Sequence, residues 1–164
     1  MNFHLPCRPL TLSAALLTVL VSACKKDASA PVPDANTSLL AGHPWRIVAH
    51  TDTDNTATLP KTVNTFVNFP AYRLDDTYRF NADNSLTFEE GALKAKAADA
   101  QSANGSWQFQ NAQSGLTITL GKAVALGTTG STSSSTYTLL KLSADTLRIT
   151  NGTRAQTIVI TLAK

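Results

Sequence analysis

The chain is poor in the residues from which most enzymes build their sites. It has two cysteines, Cys7 and Cys24, and three histidines, of which His4 lies in the apolar N-terminal segment. That leaves His43 and His50, too few for a three-histidine zinc centre, with no cysteine pair to replace it. No Gly-x-Ser-x-Gly elbow and no phosphate-cradling glycine loop occurs, so two common routes to acyl and phosphoryl chemistry lack their machinery. Asp52, Asp54 and Asn55, Asp75 with Asp76, and Asp83 with Asn84 are clustered, but none has the spacing of a calcium loop closed by a bidentate glutamate; such clusters form turns. Glu89 and Glu90 are neighbours on a strand and so face opposite sides, a poor carboxylate dyad. The expectation is a protein that is not an enzyme, with no cofactor and no metal.

Charge of one sign is also lacking. Fourteen basic against 11 acidic residues give a net charge of +3, dispersed and without an aromatic-basic run, which gives nucleic-acid binding no support. Nor does the N-terminus carry a run long enough to span a bilayer. Residues 10–23 are apolar except for Thr11, Ser13, Thr18 and Ser22, short of the roughly 20 residues a spanning helix needs. Preceded by Arg8, this is the pattern of a signal segment.

At its end, Val21-Ser22-Ala23-Cys24 resembles a bacterial lipobox, with small residues beside the bond to be cut and a thiol to receive a diacylglyceryl group. The resemblance implies a signal peptide over 1–23 and fatty acylation, palmitate-type chains included, at Cys24. Several chains are needed for firm anchoring, since each buried CH₂ contributes only about 0.8 kcal/mol. Cys7 then departs with the signal and Cys24 carries lipid, so the domain has no disulfide and must hold by packing. Residues 24–38 read as the lipidated cysteine and a flexible tether with two prolines, and 39–164 as one domain. Lys25 stands where some bacteria place an aspartate that retains lipoproteins at the inner membrane, so the expected address is the outer membrane, on its periplasmic face or the cell surface.

Beyond the tether the pattern is short strands. Trp45, Ile47 and Ala49 alternate in WRIVAHT (45–51). Tyr78 and Phe80, then Leu86 and Phe88, flank a turn at Asp83-Asn84. Trp107 and Phe109 lie two apart in GSWQFQ (105–110), and Leu116, Ile118 and Leu120 alternate with threonines in LTITL (116–120). TYTLLKLS (136–143) and TLRITN (146–151) follow, the latter with Leu147 and Ile149 on its apolar face. Asn151-Gly152 favours a tight hairpin, and TIVITLA (157–163) closes the series with Ile158, Ile160 and Leu162. Counting the 77–90 hairpin as two, these make eight strands of an all-β fold. Alternation with threonine fits one wet and one apolar face, which either a closed antiparallel barrel or a two-sheet sandwich satisfies.

Several short motifs bear on that choice: Leu40-Ala41-Gly42-His43-Pro44-Trp45-Arg46, Asp75-Asp76-Thr77-Tyr78-Arg79-Phe80, Gly105-Ser106-Trp107-Gln108-Phe109, and the stretch 137–147. Together they resemble the small lipocalin-like domains of bacterial lipoproteins of the Bacteroidota type, over most of 39–162. The resemblance implies an eight-stranded antiparallel up-and-down β-barrel, lipocalin-like, in which Trp45 closes one end. It departs from the wider superfamily in having two residues, His43 and Pro44, between Gly42 and Trp45. It also lacks the arginine packed over the tryptophan after the last strand, a place Arg154 does not fill.

Function, on this reading, sits in the barrel or its loops. Tyr78, Phe80, Phe88, Trp107, Phe109, Ile118, Ile149 and Ile160 would line a cavity for a small hydrophobic ligand or make up a solid core; the sequence pattern allows both. The long connection 52–75 carries Phe66, Phe69 and Tyr72, which would lid a cavity mouth or fold back as a plug. The alanine-rich stretch 91–104 reads as one or two helical turns or as strand continuation, and 127–135 as a loop. The partners expected are the lipid bilayer through the N-terminal acyl anchor, a small apolar molecule or, alternatively, another envelope protein.

Overall fold

The computed structural model describes residues 34–121, 133–153 and 156–164. Cys24, the signal segment, most of the tether, most of the 127–135 loop and Arg154 lie outside the described residues. Among the described residues, nine strands form one sheet that closes on itself. They are β1 (Pro44–Asp54), β2 (Lys61–Asn64), β3 (Thr77–Phe80), β4 (Ser85–Glu89), β5 (Ser102–Gln110), β6 (Gly115–Leu120), β7 (Ser133–Leu142), β8 (Thr146–Gly152) and β9 (Gln156–Ala163). From β3 to β9 each strand pairs antiparallel with the next. The wall closes where β1 pairs with β9 from Arg46↔Ala163 to Asp54↔Gln156 and with β3 on its other edge. This is an eight-stranded antiparallel up-and-down barrel, the architecture that lipocalins share; a sandwich is excluded by the β1–β9 pairing.

The ninth strand, β2, is an addition the alternation does not reveal. Lys61–Asn64 is exposed throughout and pairs only with the far half of β1, from Thr51↔Asn64 to Asp54↔Lys61. It covers the edge of β1 that the short β3 leaves bare, because β1 and β3 meet at only two residue pairs, Pro44↔Arg79 and Trp45↔Tyr78. An uncovered edge would expose unpaired backbone groups.

One end of the barrel is capped by α1 (Ala35–Ala41), which begins inside the stretch 24–38 that reads as tether. The cause is local. The Asp34 carboxylate accepts from the backbone N–H groups of Asn36 and Thr37, both at 3.0 Å, and Leu40 then enters the core fully buried. A satisfied N-cap and one buried leucine are enough to fix a two-turn helix against a preformed wall. On the same end, Asn36 Nδ2 donates to Gln113 Oε1 at 2.6 Å, tying the helix to the β5–β6 turn.

The stretch 91–104 forms neither the helical turns nor the continued strand that its composition suggests: β5 begins at Ser102 and the preceding residues are bends and turns. Side chains rather than a helix satisfy the backbone there. Lys94 Nζ donates to the carbonyls of Ala97 and Asp99, and Gln101 Nε2 to those of Glu90 and Gly91.

Candidate functional site

Two regions could carry function: the barrel interior and the loop-bearing end opposite α1. The interior is lined by alternate residues of every long strand. Trp45, Phe80, Phe88, Leu116, Ile118, Leu120, Leu147, Ile149, Ile160 and Leu162 are each 0 % exposed, and Tyr78, Leu86 and Tyr137 1 %. A cavity able to hold a ligand would leave accessible area on the side chains around it. These have none, and with Trp107 they pack as one cluster. Aromatic contacts fill its width: Phe80 and Trp107 meet edge-on at 5.9 Å, Trp107 and Phe109 at 5.4 Å, and Tyr78 and Phe88 are tilted at 5.2 Å. Of the expected lining residues only Phe109 is half-buried, packed against the cluster from its margin.

Trp45 lies under α1. Its Nε1 donates to the Leu40 carbonyl at 2.8 Å, and the His43 ring tilts over it at 4.2 Å. His43 in turn donates from Nε2 to the Ala144 carbonyl at 2.9 Å.

At the opposite end, a β-bulge rearranges the inner face of β1. Ile47 pairs with Leu162 but Ala49 pairs with Thr161, so Val48 is the extra residue. Because side chains alternate, one extra residue reverses which side the rest of the strand faces. Trp45 and Ile47 are buried below the bulge, whereas above it His50, not Ala49, is buried, and Val48 is left 45 % exposed.

His50 is held by the connection that follows β2. Thr65 Oγ1 donates to the His50 carbonyl at 3.2 Å and lies 2.5 Å from Nδ1. That network assigns the proton to Nδ1, leaving Nε2 a buried acceptor without a partner among the described residues. Burial holds the imidazole pKa below its usual value, assisted by Arg73 and opposed by Asp52, so it is neutral at pH 7. Phe69 tilts against His50 at 5.3 Å and against Phe66 at 5.4 Å, and both phenylalanines pack on the core. They stand where β1 and β3 part. Tyr72 is half-buried beside them in sequence, while Val67 points to water.

An acidic group completes this end. Asp76 and Glu90 are buried, and Asp75 is half-buried. Asp75 Oδ2 accepts from the Ala92 N–H at 2.6 Å, and Asp76 accepts from the Gly91 N–H. Burial, reinforced by Glu90 and Asp75, raises the Asp76 carboxyl to about 6, against the opposing pull of Gly91 and Arg73. Among the described residues no group of three or more histidine, cysteine, aspartate or glutamate side chains is arranged to hold a metal ion. The cluster instead clamps the exit of β4.

None of this inner polar layer follows from alternation alone. The bulge has no sequence signature in Val48-Ala49-His50, and Asp75-Asp76 reads equally as a turn. The one usable signal is that Glu90 must face opposite to Glu89, and the buried member is Glu90.

Comparison with known proteins gives no match to a family model and none to a curated protein. Two solved structures are similar. A lipocalin-like protein from Bacteroides uniformis aligns at 15 % identity over 74 % of this chain and 96 % of its own, with a TM-score of 0.42. An uncharacterized protein from Bacteroides eggerthii aligns at 12 % identity over 72 % of this chain and 95 % of its own, with a TM-score of 0.37. The barrel assignment rests on the strand pairing described above.

Proposed function

We propose that this protein is an envelope lipoprotein, acylated at Cys24, whose filled barrel serves as a rigid platform for another envelope component rather than as a carrier of an apolar ligand. The observation that supports it is the interior: the large inward side chains have no accessible surface for a ligand to cover. The loop-bearing end is the side such a platform would present: Leu59 is 82 %, Val67 72 % and Leu93 53 % exposed, on connections that leave the barrel at the end away from α1. The lipobox and Lys25 favour the outer membrane as the address.

Native mass spectrometry and lipid extraction of the full-length protein test the reading. The expected result is covalent acyl mass at the N-terminus and no stoichiometric non-covalent apolar molecule; a one-to-one bound lipid would overturn the platform role. Cys24→Ser is expected to abolish fatty-acid labelling while the barrel still folds, and normal labelling of that variant would remove the anchor.

A further inference from the structure

The outer wall carries exposed charge at Arg46, Arg79, Arg148 and, on β7, Lys141. The described outward residues of β5, β6 and the first half of β7 are neutral. Here a groove of about 280 Å³ is lined by Asn84, Ser106, Gln108, Thr117, Thr119 and Ser134, with Trp107 adjoining it. Among these described residues no side chain is charged. The neighbouring Asp83 is engaged by Ser85, its Oδ1 accepting from the Ser85 N–H at 3.0 Å and the Ser85 hydroxyl at 2.6 Å.

The register makes these groups a lattice rather than a scatter. Ser106 pairs with Thr119 and Thr119 with Ser134, while Gln108 pairs with Thr117 and Thr117 with Thr136. Adjacent strands lie about 4.8 Å apart, so two parallel rows of hydroxyl and amide groups cross the wall. Thr119 donates to Ser134 and Thr117 bonds Thr136, both at 3.0 Å, which fixes the rotamers. Each hydroxyl keeps further donor or acceptor capacity. The side chains of Asn84, Ser106 and Gln108 have no hydrogen bond to another described residue.

We propose that this groove binds a neutral saccharide. A ligand anchored there must satisfy many neutral donors and acceptors without offering charge, and without a large apolar group, for which the groove has no deep pocket. A polyhydroxylated chain meets those terms; a phosphate, a carboxylate or an acyl chain does not. The Trp107 side chain is buried and leaves little surface to stack on, and displaced water already satisfies the same groups, so the site is a weak one that gains from repetition along a polymer. It lies outside the barrel and is independent of whether the interior is filled.

The test is nuclear magnetic resonance of the ¹⁵N-labelled full-length protein in a detergent without a sugar headgroup. Maltotetraose, cellotetraose and chitotetraose are added in turn at about 10 mM, enough to fill a site of millimolar Kd. At least one is expected to shift the amides of Ser106, Gln108, Thr117, Thr119 and Ser134 together. Gln108→Ala and Thr119→Val are each expected to weaken that binding several-fold, whereas Thr161→Val on the opposite wall leaves it unchanged. No shift with any of the three, shifts centred elsewhere, or equal binding by folded Gln108→Ala and Thr119→Val protein would overturn the proposal.

Discussion

The indole Nε1 of Trp45 donates to the carbonyl oxygen of Leu40 at 2.8 Å, so the first long strand is fastened to the helix that precedes it by a side chain with no exposed surface. Trp45→Phe keeps most of the packing but leaves that buried carbonyl without its donor, which costs about 1–3 kcal/mol. Trp45→Ala adds a cavity under α1 and costs about 3–5 kcal/mol. Urea denaturation of both variants measures the two losses; a Trp45→Phe protein as stable as the parent would mean that the hydrogen bond contributes nothing.

Stability should respond to pH through Asp76 with an unusual sign. Its folded carboxyl is raised from 3.8 to about 6, so the folded state binds the proton more tightly than the unfolded chain. The resulting stabilisation is complete below about 4 and is lost as pH rises through 6, an upper limit of about 3 kcal/mol. Asp76→Asn removes this dependence, and the variant's advantage over the parent should grow from pH 4 to pH 7. His50, held low, acts in the opposite direction: its neutral form is favoured by folding, and stability falls as pH drops below 6.5. The exposed Asp34, Asp54, Asp83 and Asp145 carboxylates, all lowered by hydrogen bonds, lose their contribution only below 3.8. The difference between parent and variant therefore isolates Asp76. A pH-independent difference in thermal midpoint would contradict the assignment.

Gly105 is fixed by space rather than by backbone angle. A Cβ there would lie 2.0 Å from the Thr119 carbonyl oxygen and 3.1 Å from the Leu120 Cα, both main-chain atoms of the neighbouring strand. Gly105→Ala must push β5 and β6 apart, at a cost of about 1–3 kcal/mol. The backbone amides of 105–107 and 118–120 should lose protection from hydrogen exchange first.

The β5–β6 turn holds Asn111, Ala112 and Gln113 at φ of 49°, 52° and 69°, a left-handed stretch that costs about 1–2 kcal/mol per residue for side chains with a Cβ. Ala112 makes no compensating side-chain bond, so Ala112→Gly should raise stability by up to about 1 kcal/mol. Chemical denaturation checks it, and a lower midpoint would show that the turn is not strained.

The eight staves were legible because alternation is strong where one face is wet and the other packed: LTITL and TIVITLA map onto β6 and β9 with Ile118, Ile158 and Ile160 facing inward. What escaped has physical reasons. β2 lacks a buried face, and Lys61–Asn64 is held by backbone pairing and a Thr53–Thr62 hydroxyl bond, which leaves no hydrophobic period. α1 depends on one carboxylate and one leucine within a stretch whose composition is that of a linker. The inward turn of His50 depends on Val48, a residue that would sit as comfortably in an unbroken strand. The packed interior was visible as a list of large side chains, but whether they left a space between them is a matter of three-dimensional volume that spacing does not encode.

The pairing of β1 with β9 also sets an order of events. The stave that completes the wall is made of 156–163, while its partner lies at 44–54, so ring closure joins nearly the two extremes of the domain and is slow for entropic reasons. Until those last residues arrive, the growing sheet is an open ribbon with two unsatisfied margins. A chain that emerges residue by residue can therefore become a barrel only after 156–163 have appeared, and until then it must be kept from pairing with its neighbours.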